Sequence, residues 1–186
     1  MSPLYPDIIA CLSIQVLEIK KMVYLYLINY ARAKPEMVKH AMSGLLEVCS
    51  ILSPTRRELT CPAQDANDRN ALIRALAIRT MSYIPVPEVL RELIEPLKLS
   101  LKDRDPYVRK TAAICVAKLY MHDRKLCERE GFVGSLRDLL ADTNPTVVAN
   151  AVAALTEVSE RSDNIRLRLN ATVASRLVSA MGECSE

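Results

Sequence analysis

A twelve-residue segment occurs three times in this chain, at residues 68–79, 103–114 and 142–153. The copies open on Asp68, Asp103 and Asp142, so successive repeats lie 35 and 39 residues apart. The second reads Asp-Arg-Asp-Pro-Tyr-Val-Arg-Lys-Thr-Ala-Ala-Ile, and the third retains Asp-Thr-Asn-Pro-Thr-Val. A helical period of that length builds a solenoid. Each repeat buries its apolar face only against its neighbours, and the chain presents an extended surface instead of closing around one pocket.

Composition decides between helix and strand as the repeating element. Half of the 186 residues are hydrophobic, yet there is one Phe, no Trp and only four Gly. A core of Leu, Ile, Val and Ala suits helix-on-helix packing, and long Ala/Leu runs argue against strands. The expected fold is therefore all-α, a HEAT/armadillo-like α-solenoid of antiparallel helix pairs.

The helix signals are local. Pro6 and Asp7 open a first helix over 8–17, a second covers 18–33, and Pro35 starts a third to about 52. The stretch 53–69 has Pro54, Pro62, Asp65 and Asp68 with no sustained apolar period, which predicts an exposed loop. Asn70 caps a helix over 71–82, and Pro85 and Pro87 separate it from the next, about 87–102, which Pro96 should kink or split. Asp105-Pro106 and Asn144-Pro145 are cap-then-proline pairs opening helices over 106–120 and 145–159. A shorter helix is expected over 132–141 and a last one over 170–181.

Within the first two copies an Arg follows the leading Asp by six residues, as Asp68 with Arg74 and Asp103 with Arg109. This spacing predicts that the Asp ends a turn between helices while the Arg emerges from the first turn of the next helix. Stacked repeats then place each Arg beside a carboxylate of its own or the neighbouring repeat, which makes a structural ladder of Asp68, Arg74, Asp103 and Arg109. Val148 replaces the Arg in the third copy, so the ladder should end or weaken there.

The arrangement Asp-x-Asp-Pro-x-Val-Arg-x-x-Ala resembles the HEAT and armadillo-like repeat class. Four stretches resemble one family more closely: 20–31, 71–81, 105–113 and 144–155. In order and spacing they are similar to the trunk of the β-adaptins, the large β subunits of clathrin adaptor complexes of the plasma-membrane and trans-Golgi type. The resemblance implies that 1–186 is part of an N-terminal adaptin trunk, beginning after the family's first helices and stopping before its hinge and appendage. The stretch 50–67 is longer than the turn the family places there.

What the resemblance implies is a non-catalytic scaffold in vesicle-mediated protein transport, on the cytoplasmic face of coated vesicles, Golgi or endosome, or plasma membrane. Its partners are the other large, medium and small adaptor subunits. Clathrin recruitment belongs to the hinge and appendage. The resemblance also implies an Arf-type GTPase contact at Leu25 and Met42, with Lys39 where the family often has an apolar residue. Read from the residues alone, Leu25 and Met42 are equally candidates for the core.

Lys20, Lys21, Arg32, Lys34 and Lys39 give the N-terminal third a basic bias. Lys20 and Lys21 are the candidates for an anionic-lipid contact, at about 1 kcal/mol per well-placed charge. A formal net charge of +3 does not by itself imply nucleic acid. A helical-repeat nucleic-acid binder would need Arg74, Arg79, Arg109 and Lys110 to converge on one open face. No Gly-rich phosphate loop, G-x-S-x-G or H-E-x-x-H occurs, so neither an enzyme nor a cofactor is expected. The six cysteines include no C-x-x-C pair, so no zinc site is expected. Most sit among apolar residues, which fits a reduced, cytosolic chain. The run 8–31 carries Glu18, Lys20 and Lys21, which argues against a membrane span.

Overall fold

The computed structural model describes residues 7–8, 11, 14, 16–33 and 65–162, with scattered positions from 171 to 182. Seven α-helices are described: α1 (Leu17–Ala33), α2 (Ala71–Ser82), α3 (Pro87–Ser100), α4 (Pro106–His122), α5 (Arg124–Arg129), α6 (Phe132–Asp138) and α7 (Pro145–Glu160). A 3-10 turn, Leu139–Ala141, follows α6. No strand occurs among the described residues, and the fold is all-α, of the helical-repeat kind. The chain divides into two compact units, Met1–Pro96 and Leu97–Glu186.

Helix starts follow the capping residues. Asn70, Asp105 and Asn144 are each extended at the N-cap. Their side chains accept from the amides of Leu72, Tyr107 and Thr146 respectively. Such a cap satisfies one of the orphan donors of the first turn and contributes about 1 kcal/mol. Gly131, ahead of α6, has φ 75°, a left-handed conformation that costs glycine nothing.

Three expectations need correction. Pro96 does not split its helix, because α3 runs through it. Pro96 has no N–H to donate to the carbonyl of Glu92, but Leu93 and Leu97 on either side are fully buried, and that burial offsets the missing bond. Helix α5 has no counterpart in the sequence reading, which left 121–131 without an element. It is six residues long, too short to show a period, and it starts on the Asp123 carboxylate accepting from the Leu126 amide. Finally, 65–69 is not wholly an exposed loop, since Asp65 and Ala66 are buried. The helix expected over 35–52, the loop residues 53–64 and most of the last helix lie outside the described residues.

In the first unit α1 packs against α2. Val23, Tyr24 and Leu27 form a buried cluster flanked by Ile8, Cys11, Ile19, Tyr26 and Leu76. In the second, α4 and α7 make the most extensive contact. Val108, Ala112, Val116 and Leu119 of α4 are buried, as are Val147, Ala151, Ala154 and Leu155 of α7. The alanines let the two backbones approach closely, so an added side chain there would overpack the contact.

Candidate functional site

The three Asp-led turns share one geometry. Asp68, Asp103 and Asp142 accept through Oδ1 from the amides of Asn70, Asp105 and Asn144 at 2.7, 2.8 and 2.8 Å. These are Asx turns, in which the carboxylate mimics a backbone carbonyl. The leading Asp therefore shapes the turn and leaves the next residue in position to cap the helix.

Within its own repeat each of the two arginines folds back onto the backbone of the turn. The Arg74 Nη1 donates to the carbonyl oxygens of Asp68 (2.9 Å) and Arg69 (3.1 Å). The Arg109 Nη1 donates likewise to Asp103 (2.7 Å) and Arg104 (3.1 Å). Six residues is the reach needed to fold the side chain back over the turn's backbone.

The charged partner comes from the following turn. Arg109 donates from Nε to Asp142 Oδ2 at 2.7 Å and from Nη2 to Oδ1 at 2.9 Å. The guanidinium thus grips two turns, one by its carbonyls and one by its carboxylate, a fork that Lys cannot reproduce. The Asp142 hydrogen bond raises the Arg109 pKa, against the lowering effect of burial. Burial pushes Asp142 up, but Arg109 and the amides of Asn144 and Thr143 outweigh it and hold the carboxyl below its ordinary value. Val148, where a third Arg would stand, is buried in the core.

A second polar cluster was missed by the sequence reading. Lys20 Nζ donates to Asp65 Oδ1 at 2.7 Å and Oδ2 at 2.5 Å. The Tyr24 hydroxyl donates to Oδ2 of the same carboxylate at 2.5 Å. Lys20 and Tyr24 are fully buried and Asp65 is 2% exposed. Lys20 and Tyr24 lie four residues apart, on one face of α1, and a lone Lys on that apolar face was the available signal. Lys20 is thus withdrawn as a lipid contact, because a buried ammonium held by a carboxylate cannot meet a headgroup.

Of the other predicted contacts, Lys21 is exposed and Leu25 is 55% exposed beside Met22 at 69%. Met42 lies outside the described residues, as do the side chains of Arg32, Lys34 and Lys39. Arg79 is exposed, and the Lys110 ammonium sits over the Tyr107 ring at 4.9 Å.

A third cluster closes the end of α4. Glu128 accepts from the Tyr120 hydroxyl at 3.0 Å and from Arg124 Nε at 2.9 Å, and Arg124 Nη2 donates to the buried Ser162 at 3.1 Å. Cys127 is buried and its pKa is pushed up to about 12, first by burial and then by the carboxylates of Glu128 and Asp123. That thiol is inert at neutral pH. No group of three or more His, Cys, Asp or Glu able to hold a metal occurs among the described residues, and no described helix is long and apolar enough to cross a membrane.

Comparison with known proteins bears on this repeat architecture. Residues 72–186 match the family model described as Cnd1, non-SMC mitotic condensation complex subunit 1. The whole chain is 46% identical over 188 residues to the mouse AP-1 complex subunit beta-1, 44% over 186 to the Dictyostelium discoideum AP-1 complex subunit beta, and 36% over 186 to the Schizosaccharomyces pombe AP-2 complex subunit beta. The chain belongs to the Cnd1 family, and over its full length it is similar to β subunits of AP complexes. It spans 18% of the length of the mouse and Dictyostelium relatives and 25% of the fission-yeast one. The full-length match includes α1, which the Cnd1 match, starting inside α2, does not.

Proposed function

We propose that the chain acts as a non-catalytic helical-repeat scaffold of a clathrin-associated adaptor coat in vesicle-mediated intracellular protein transport. The observation that carries this reading is the 44–46% identity over the entire chain to AP-1 β subunits. The turn geometry supports it chemically. The Arg109 guanidinium is engaged on both edges by the protein itself, so its charge serves cohesion instead of a ligand.

The proposed partners are the other large, medium and small adaptor subunits, at the cytoplasmic face of coated vesicles, Golgi or endosome, or plasma membrane. Leu25, exposed on α1, is the proposed apolar contact for an Arf-type GTPase, together with Met42. Membrane attachment goes through the complex. Among the described cations of the N-terminal basic group only Lys21 faces solvent, and one charge at about 1 kcal/mol does not hold a protein on a membrane.

Affinity capture with the tagged chain from cytosol tests the reading. Recovery of the large, medium and small adaptor subunits is the expected result, and their absence under mild conditions overturns it. A helical-repeat nucleic-acid binder is the second reading, for which the exposed Arg79 is the relevant observation. A salt titration with duplex DNA separates the two, since nucleic-acid binding weakens steeply as salt rises. The coat reading expects no saturable binding at 150 mM-order ionic strength, about where non-specific contacts are already weak.

A further inference from the structure

We infer that the buried Lys20–Asp65–Tyr24 cluster is a rotational lock, which selects the face that α1 turns to the core and thereby which of its apolar residues stay in solvent. The inference goes beyond the coat reading and does not depend on it.

The need for a lock follows from the helix itself. Helix α1 carries apolar residues around much of its circumference. Val23, Tyr24 and Leu27 are buried, Ile19, Tyr26 and Ile28 are half-buried, and Met22 and Leu25 are exposed. Apolar burial is non-directional and roughly proportional to area. Rolling α1 by about a quarter turn brings Ile19, Met22 and Tyr26 into the core beside Val23 in place of Tyr24 and Leu27, and it leaves Glu18, Lys21 and Asn29 in solvent, so the buried apolar area changes little. Packing alone therefore leaves two rotations close in energy.

A buried ion pair separates them. Lys20 and Tyr24 lie one helical turn apart on the same face, and both converge on one carboxylate, 2% exposed, from a residue 45 positions away. In the rolled state Asp65 would be a buried carboxylate without its ammonium and hydroxyl. That penalty far exceeds the difference in apolar area. Buried polar groups that specify register at some cost in stability are the best-attested use of such pairs.

The lock makes a prediction that simple stabilisation does not. Removing one partner and replacing both must behave differently. In the full chain, Asp65→Asn lowers the folding equilibrium constant by roughly 100-fold or more, read from urea unfolding. The double variant Lys20→Leu/Asp65→Leu, made in a Tyr24→Phe background so that the hydroxyl does not lose its Asp65 acceptor, keeps that constant within about tenfold of wild type, because apolar side chains replace the polar cluster. Rotation is read from peroxide oxidation followed by mass spectrometry. Wild type oxidises Met22 readily and protects Met81, which is 1% exposed. The double variant oxidises Met22 several-fold more slowly, keeps Met81 protected, and shows doubled amide signals along α1.

A double variant with wild-type Met22 oxidation and a single set of α1 signals overturns the inference, as does an Asp65→Asn chain of unchanged stability. A double variant that unfolds, seen as loss of Met81 protection, also overturns it, since the pair would then be required for stability itself.

Discussion

Two ion pairs, one in each unit, are built from the same chemistry and behave as different devices. Lys20–Asp65 is buried at both ends, 0% and 2% exposed. Arg109–Asp142 retains 15% and 8% exposure. The lysine is a point charge driven into the apolar interior, where its carboxylate is also the acceptor of Tyr24. The arginine lies along the edge of a turn and spreads its five donors over two backbone carbonyls and a carboxylate. Depth makes the first pair a selector of conformation, while the fork makes the second a clasp between successive turns. The difference teaches that in the second unit two successive turns are held by a partly solvated clasp. The first unit carries an aperiodic lock that no repeat rule announces.

Removing the acid from each pair is the largest test of this contrast. Asp65→Ala strips buried Lys20 of its carboxylate and should cost about 3–5 kcal/mol. Asp142→Ala should cost about 2 kcal/mol, because Arg109 keeps its two carbonyls and its edge reaches water. Equal losses in urea unfolding would break the distinction between lock and clasp. Arg109→Lys sharpens it further, at about 1–2 kcal/mol, since a lysine cannot serve the carbonyls of Asp103 and Arg104 and the Asp142 carboxylate together.

Proton linkage gives the clasp a signature. The folded Asp142 pKa is depressed below the unfolded value of about 3.9. Its contribution is therefore fully present above that value and is lost as pH falls through the folded pKa. The stability gap between wild type and Asp142→Asn should be constant from pH 7 to pH 5 and shrink below pH 4, measured by denaturant titration across that range. A gap that persists undiminished into acid would assign it to packing instead of charge.

Smaller effects test the local layer beneath both pairs. Asn144→Ala removes a cap accepting from Thr146 and Val147 and should cost about 1 kcal/mol in thermal unfolding. Arg124→Ala removes an ion pair to Glu128 that is about 40% exposed at both ends together with a donor to the buried Ser162, and should cost under about 1 kcal/mol in thermal unfolding, most of it from the Ser162 bond.

Much of the fold was legible because its signals are short-range. The Asn70, Asp105 and Asn144 caps, the Pro106 and Pro145 starts and the separation at Pro85 each act within a few residues, and α2, α4 and α7 begin where these signals place them. Helix α5 escaped because six residues hold less than two turns of pattern. The Asp–Arg spacing was legible as a turn device but not as a pairing. The spacing left open whether Arg109 takes a carboxylate of its own or of the neighbouring repeat, a choice that depends on which turns stack side by side.

The sequence by itself determined the helical period, the capped turns and the relationship to the β-adaptins, because those depend on residue identity at fixed short offsets. Only the tertiary structure decided that Arg109 takes its carboxylate from 33 residues ahead and that Lys20 lies buried against an acid 45 residues away. A charge's partner is set by which surfaces burial brings together. Apolar attraction has no direction, so composition and spacing alone cannot name that partner.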